Sequence, residues 1–186
     1  MKRVFVPLAV LAAVTVLGSC RKEPSPAAAP TPTAESARPS LSPEQAAEAR
    51  RIIVRWLECE ECESGELEAV VRLGNTAVPT LAATLRGGPS PASREKLRRH
   101  LVSTYSRLRK EGETHREMRL SQSEESYVQT YMENYVALYQ VRSAQALAAI
   151  GGDEARKALE ATGGYTLRKD VADAVNESLG KMTRER

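Results

Sequence analysis

Residues 141–162 read VRSAQALAAIGGDEARKALEAT. A run containing the small residues Ala144, Ala146, Ala148 and Ala149 reaches Ile150 and stops at Gly151-Gly152. It resumes as DEARKALEAT, a second helical segment with acidic residues at its head. Acidic side chains suit the positive end of a helix, and paired glycines punctuate one. A link this short makes the two helices antiparallel neighbours, and the alanines let them approach closely.

The rest of the chain reads the same way. Its one Phe lies within the first twenty residues, and no long Val/Ile/Thr alternation marks a strand. LSPEQAAEARRIIVRWLE opens with Ser42 as N-cap, Pro43 at the first helical position and Gln45 three after the cap, a capping-box pattern. Ala49, Ile52, Ile53, Trp56 and Leu57 fall on one face of that helix. A second helix carries Leu67, Val70 and Val71, with Ser64 as its cap and Gly74 as its stop. A third carries Val78, Leu81, Ala82 and Leu85, with Pro79 in its first turn and Gly87-Gly88-Pro89 beyond its end. Ser90-Pro91 starts a fourth, through Leu97, Leu101, Tyr105 and Leu108. A polar connection follows. Ser121 with Glu124 then predicts a capped helix running to Ile150, long enough to expect a break near residue 140. RKDVADAVNESLGKM closes the chain as a last helix. The expected fold class is all-α.

Three stretches carry a resemblance. ELEAVVRLGNTAVPTLAATLRGG resembles a HEAT-type repeat: a helix ending Leu-Gly, a tight turn, then Ala-Val-Pro and a Leu-rich second helix. VRSAQALAAIGGDEARKALEAT is similar to the repeats of phycobilisome-lyase-type HEAT proteins, and RKDVADAVNESLGKM to the first helix of a truncated further repeat. The resemblance implies a short α-solenoid of helical hairpins over residues 42–186. Residues 90–138 depart from the pattern, which points to a helical domain with HEAT-like ends. Stacking fits the physics, since one repeat cannot bury its own apolar face. Lyase activity does not follow, because likeness of fold does not carry function. Arg142 reads as a solvated residue rather than one bonding a neighbouring helix end.

The chain begins MKRVFVPLAVLAAVTVLGSC. Lys2 and Arg3 precede an apolar run of signal-sequence length, too short to span a bilayer comfortably. Leu17-Gly18-Ser19-Cys20 resembles the bacterial lipobox, with Gly18 where the commonest form has Ala or Ser. That resemblance implies a signal peptide over residues 1–19, a diacylglyceryl group on Cys20, and export to the cell envelope. Arg21, where Asp would favour retention at the inner membrane, implies the outer membrane, facing the periplasm or the cell surface. Residues 20–41 then form a lipidated Pro/Ala-rich tether with too few large apolar residues to fold. Extended, it spans on the order of 60 Å. Removing residues 1–19 leaves 25 basic against 24 acidic residues, so a strongly basic nucleic-acid binder is not indicated.

Cys59 and Cys62 sit in ECEECESGE, residues 58–66. With Cys20 assigned to lipid they form an even pair in an oxidising compartment, and a disulfide staple is the favoured reading. Residues three apart on a helix hold their β-carbons about 5–6 Å apart, farther than a disulfide wants, so the pair fits where the first helix ends. Plain thiols remain open. A thioredoxin-type redox pair needs a βαβ setting and a stabilised thiolate, which Glu58, Glu60, Glu61 and Glu63 oppose. A metal site needs two further ligands, and His100 and His115 are isolated, so no metal is expected. Neither a phosphate-binding glycine loop nor a hydrolase or metalloprotease motif is present, and the expectation is a non-enzyme with no cofactor beyond the lipid and no small-molecule substrate.

Two surfaces are candidate partner sites. One pairs the glutamates of residues 58–68 with a basic stretch that includes Arg98, Arg99, Arg107 and Arg109. The other is the row Tyr127, Tyr131, Tyr135 and Tyr139, which drifts about 40° per step and so cannot face one core throughout; core packing with hydroxyls at the rim is the favoured reading, and an exposed interface portion the alternative. The expected function is a lipid-anchored adaptor that binds a protein partner. The alternative is a periplasmic thiol-disulfide or metal-binding protein using Cys59 and Cys62.

Overall fold

Serine side chains set where the helices begin. In the computed structural model, which describes residues 41–59, 61–62, 64–115, 117, 119–164 and 167–184, Ser42 Oγ accepts from the Gln45 amide at 3.2 Å. Gln45 Oε1 accepts from the Ser42 amide at 3.0 Å, which closes the capping box and starts α1 (Pro43–Glu58). Ser90 caps α4 (Pro91–Thr114) through the Ser93 amide. The cap of α5 (Glu124–Ile150) is Ser123, which accepts from the Ser126 amide, and not Ser121. The shift places Glu124 and Glu125 in the first turn, where the helix dipole favours them. α2 (Ser64–Leu73) has Ser64 as its first residue, one place inside the cap position expected for it.

A turn of 3-10 helix, Gly74–Thr76, leads into α3 (Val78–Gly87), and α6 (Gly152–Glu160) and α7 (Lys169–Arg184) follow α5. These seven α-helices, with no strand among the described residues, make the domain all-α. Residues 1–40, which include the expected signal peptide, Cys20 and all of the expected tether but Leu41, lie outside the described residues, as do Glu60 and Glu63. No helix among the described residues is long and apolar enough to cross a membrane.

α5 organises the rest. It runs unbroken through residue 140, because neither Gly nor Pro occurs between Glu124 and Ile150 to interrupt it. What changes near its middle is its surroundings. Its first turns pack on α4 around Leu101, Tyr105, Tyr127 and Val128. Its second half enters a larger core with Ile53, Trp56 and Leu57 of α1, Val70 of α2, Leu81 and Leu85 of α3, Leu159 of α6 and Val171 of α7. Ser143, Ala144, Ala146 and Leu147 are all fully buried, so this half is enclosed on several faces. α5 packs against all six other helices, most extensively α3 and α7, whereas a repeat in a uniform solenoid meets only its neighbours. Each fully buried Leu contributes about 1.5–3 kcal/mol relative to exposure.

Gly88 ties the two parts together. It closes α3 at φ +69°, a conformation that other residues resist, and donates its amide to the Thr84 carbonyl. A β-carbon there would lie 2.8 Å from Val136 Cγ1 on α5, so the chain passes too close to α5 for any larger residue.

Candidate functional site

The last turn of α1 has carbonyls with no partner inside the helix. α5 supplies one, and three consecutive residues are held there. Trp56 Nε1 donates to the Arg142 carbonyl at 3.1 Å, and Arg142 Nη1 donates to the Leu57 carbonyl at 2.8 Å. The Tyr139 hydroxyl donates to the Glu58 carboxylate, while the Tyr135 and Tyr139 hydroxyls lie 3.0 Å apart. Burial, and then the bond to Glu58, raises the Tyr139 pKa above its ordinary value of 10.0. Arg142 is thus not merely solvated. A cation is favoured at a helix C-terminus, and the open Leu57 carbonyl recruits it.

Beyond that clasp the backbone of Cys59 becomes extended, with ψ 135°, and the chain turns. The sulfurs of Cys59 and Cys62 are bonded, with their Cα atoms 5.2 Å apart. The pair sits at the end of the first helix, where a three-residue spacing can close. Glu66 stands just beyond, in the first turn of α2. Its Oε2 is buried and has no hydrogen-bond partner among the described residues. One carboxylate oxygen of Glu66 and the two sulfurs all lie within 4.8 Å of one another.

The sequence places Glu66 only among the glutamates of residues 58–68 and not beside the cysteine pair. The available signal was its place four residues after Cys62, across a helix start. His100 and His115 are on and just after α4 and take no part in this cluster. Of the flanking glutamates, Glu58 is engaged by Tyr139 and Glu61 is exposed.

The basic residues of α4 do not form one patch. Arg98, Arg99, Arg107 and Arg109 are all exposed, but at 100° per residue they spread around the helix. Arg107 faces Glu111 at 4.0 Å. Arg98 has no hydrogen-bond or ion-pair partner among the described residues, and it borders a groove of about 630 Å3. Met132, Val136, Ala137 and Leu167 supply apolar lining, and Arg94, Arg98 and Arg168 the guanidinium groups. A second hollow of about 490 Å3 shares Arg98, Met132 and Glu133 and extends toward Val102 and Val128.

Two of the three guanidinium groups are already committed. Arg94 donates to the Pro89 and Gly87 carbonyls, which fixes the α3–α4 turn. Arg168 makes a two-pronged bond to Asp170 and another to Asn134. The Arg168 bond lowers the Asp170 pKa from 3.8 to about 2.

The tyrosine row divides between two surroundings. Tyr127 is buried, its ring centroid 5.5 Å from that of Tyr105 and 4.6 Å from that of Tyr131. Tyr135 and Tyr139 pair edge-on at 4.9 Å beside α1. Tyr131, at 48% exposure, is the member left at the surface. The drift of the row predicted this division, but not which partners would take each end. No family model, no curated protein and no solved structure matches the chain.

Proposed function

We propose that the chain is a membrane-anchored lipoprotein of the cell envelope, held by lipid on Cys20, whose HEAT-like helical domain is a non-enzymatic adaptor for a protein partner. The observation that supports this reading best is the groove along α4 and α5. It offers a partner apolar lining and an uncommitted Arg98, with exposed Val102 in the adjoining hollow, while exposed Tyr131 stands elsewhere on α5. Arginine and tyrosine are enriched at protein interfaces, and the Arg98 guanidinium suits a segment with an acidic residue beside an apolar stripe.

The test is photo-cross-linking in the native cell. A photoreactive side chain replaces Met132 in the groove or Ala83 on α3, with and without Arg98→Glu. The reading expects a reproducible adduct from position 132 alone, weakened by Arg98→Glu, and a diacylglyceryl mass increment that Cys20→Ser abolishes. Identical adducts from both positions, or none from 132, would sink it.

The second reading, a thiol-disulfide or metal-binding protein using Cys59 and Cys62, is favoured by one observation. That observation is Glu66, which has one carboxylate oxygen near both sulfurs and a buried Oε2 with no hydrogen-bond partner among the described residues.

A further inference from the structure

We infer that Cys59, Cys62 and Glu66 form a redox-gated site for a thiophilic divalent cation of the zinc class: closed as the disulfide, and competent once the disulfide is reduced. The inference rests on the second reading above and is independent of the adaptor reading.

The geometry is that of three converging ligands. Two sulfurs and a carboxylate oxygen lie within 4.8 Å of one another. A tetrahedral zinc ion, with bonds of about 2.3 Å to sulfur and about 2.0 Å to oxygen, needs donor atoms roughly 3.5–3.8 Å apart. Once the S–S bond is cleaved, side-chain rotation alone can part the sulfurs to that distance. The Cys59 and Cys62 Cα atoms, 5.2 Å apart, need not move. The carboxylate is the second, separate observation. Glu66 Oε2 is buried with no hydrogen-bond partner among the described residues, a state that costs free energy and that a metal ion on the carboxylate would relieve.

Charge points the same way. Glu58 and Glu61 adjoin the cysteines in the chain and Glu66 lies near their sulfurs, and such negative charge disfavours a bare thiolate. A bound dication reverses their sign of effect, since its own charge dominates the site. Two thiolates and one carboxylate carry −3 against the ion's +2. The fourth position is left for water or another ligand, as in zinc sites with three protein ligands.

The steps balance. A thiolate of a dithiol reductant attacks one cysteine sulfur and expels the other as a thiolate. The second reductant thiol then resolves the mixed disulfide. Two electrons and two protons pass to Cys59 and Cys62, and the reductant leaves as a disulfide. Binding of the cation then releases the two thiol protons to solvent.

The experiment uses the full chain carrying Cys20→Ser, so that only Cys59 and Cys62 report, reduced with a phosphine under anaerobic conditions. Free thiols are counted first, then cobalt(II) is added as a spectroscopic stand-in, and zinc(II) after it. The expected result is a thiolate-to-cobalt charge-transfer band that saturates at one ion per chain. Zinc should displace it, excess magnesium should not, and the oxidised chain should show no band. Glu66→Gln should weaken binding by roughly tenfold to a hundredfold, the scale on which groups around a bound metal act. Exposed Glu61→Gln should change it little, and circular dichroism verifies that both variants fold. Three results would overturn the inference: no band although two free thiols are counted, saturation at one ion per two chains, or Glu66→Gln binding as tightly as the parent. A thiol count of two with no band would remove the cation while leaving a reducible disulfide, so the two failures are distinguishable.

Discussion

The two halves of α5 inhabit different proteins. Its C-terminal half is sheathed by α1, α2, α3, α6 and α7, in a core that includes the fully buried Leu81, Leu85, Leu147, Leu159 and Val171. Its N-terminal half meets α4 over four buried residues, Leu101, Tyr105, Tyr127 and Val128. α4 has 24 residues, yet of them only Leu101, Tyr105 and Gly112 are buried. One helix therefore serves as the axis of a well-packed core and as half of a thin wing. Sparse apolar contact means low local stability, so the wing is the part expected to open first. The groove lies where the wing meets the core, with Arg98 and Met132 on one side and Ala137 and Leu167 on the other.

The largest effect should come from cutting each region at its centre. Leu147→Ala, at a fully buried position, should cost about 2–5 kcal/mol and lower the midpoint of the whole urea transition. Leu101→Ala, 5% exposed, should instead speed amide exchange in α4 and the first turns of α5 while α6 and α7 keep their protection. Equal loss of protection in α6 and α7 would show that the wing and the core open together.

A smaller effect probes the joint. Gly88→Ala should cost about 1–3 kcal/mol, because the new β-carbon meets Val136 and the positive φ strains it as well. Gly74→Ala provides the comparison: φ is +56°, but nothing lies within 4 Å of the added atom, so only the backbone cost remains. Thermal melts that show the two variants equally affected would mean that contact with α5 at Gly88 does not hold the regions together.

The smallest effect lies at the edge of the core, where Arg168 holds Asp170 ahead of α7 residue Val171. The folded pKa, about 2, is below the ordinary 3.8, so the pair's stabilisation is present above about pH 4 and is lost as pH falls toward 2. Both side chains are more than a third exposed, which keeps the contribution well under about 1 kcal/mol. The gap in melting temperature between the parent and Asp170→Asn should shrink over that window. A gap that persists at pH 2 would assign the effect to something other than the carboxylate charge.

Local chemistry was legible in the sequence where a side chain bonds its own neighbourhood. Ser42, Ser90, Gly74 and Gly88 mark helix ends for reasons contained within a few residues. So does the Cys59–Cys62 pair, which only a helix end can accommodate. Ser121 misled because Ser123, two residues later, has the same capping chemistry, and spacing to a single Glu does not choose between them. The expected break near residue 140 had no physical agent. That expectation rested on the length of the segment, and what changes along the unbroken helix is its partners. Arg142 and Glu66 were not legible, because the first needs a carbonyl 85 residues away and the second needs the corner folded around it. The groove was hidden for the same reason: Arg98, Val136 and Leu167 meet only across three segments.

The clasp that holds Trp56, Leu57 and Glu58 to α5 has a mechanical consequence. Residues 43–48 are all exposed, the first buried side chain of α1 is Ala49, and among the described residues no hydrogen bond joins α1 to another helix before Trp56. Tension on the chain ahead of Ser42 would meet little resistance along those first turns. Each residue drawn out of the helix adds about 2 Å of length, the difference between helical rise and extended chain. The front of α1 is thus a compliant spring, and the Trp56–Glu58 corner is the fixed point from which its extension is measured.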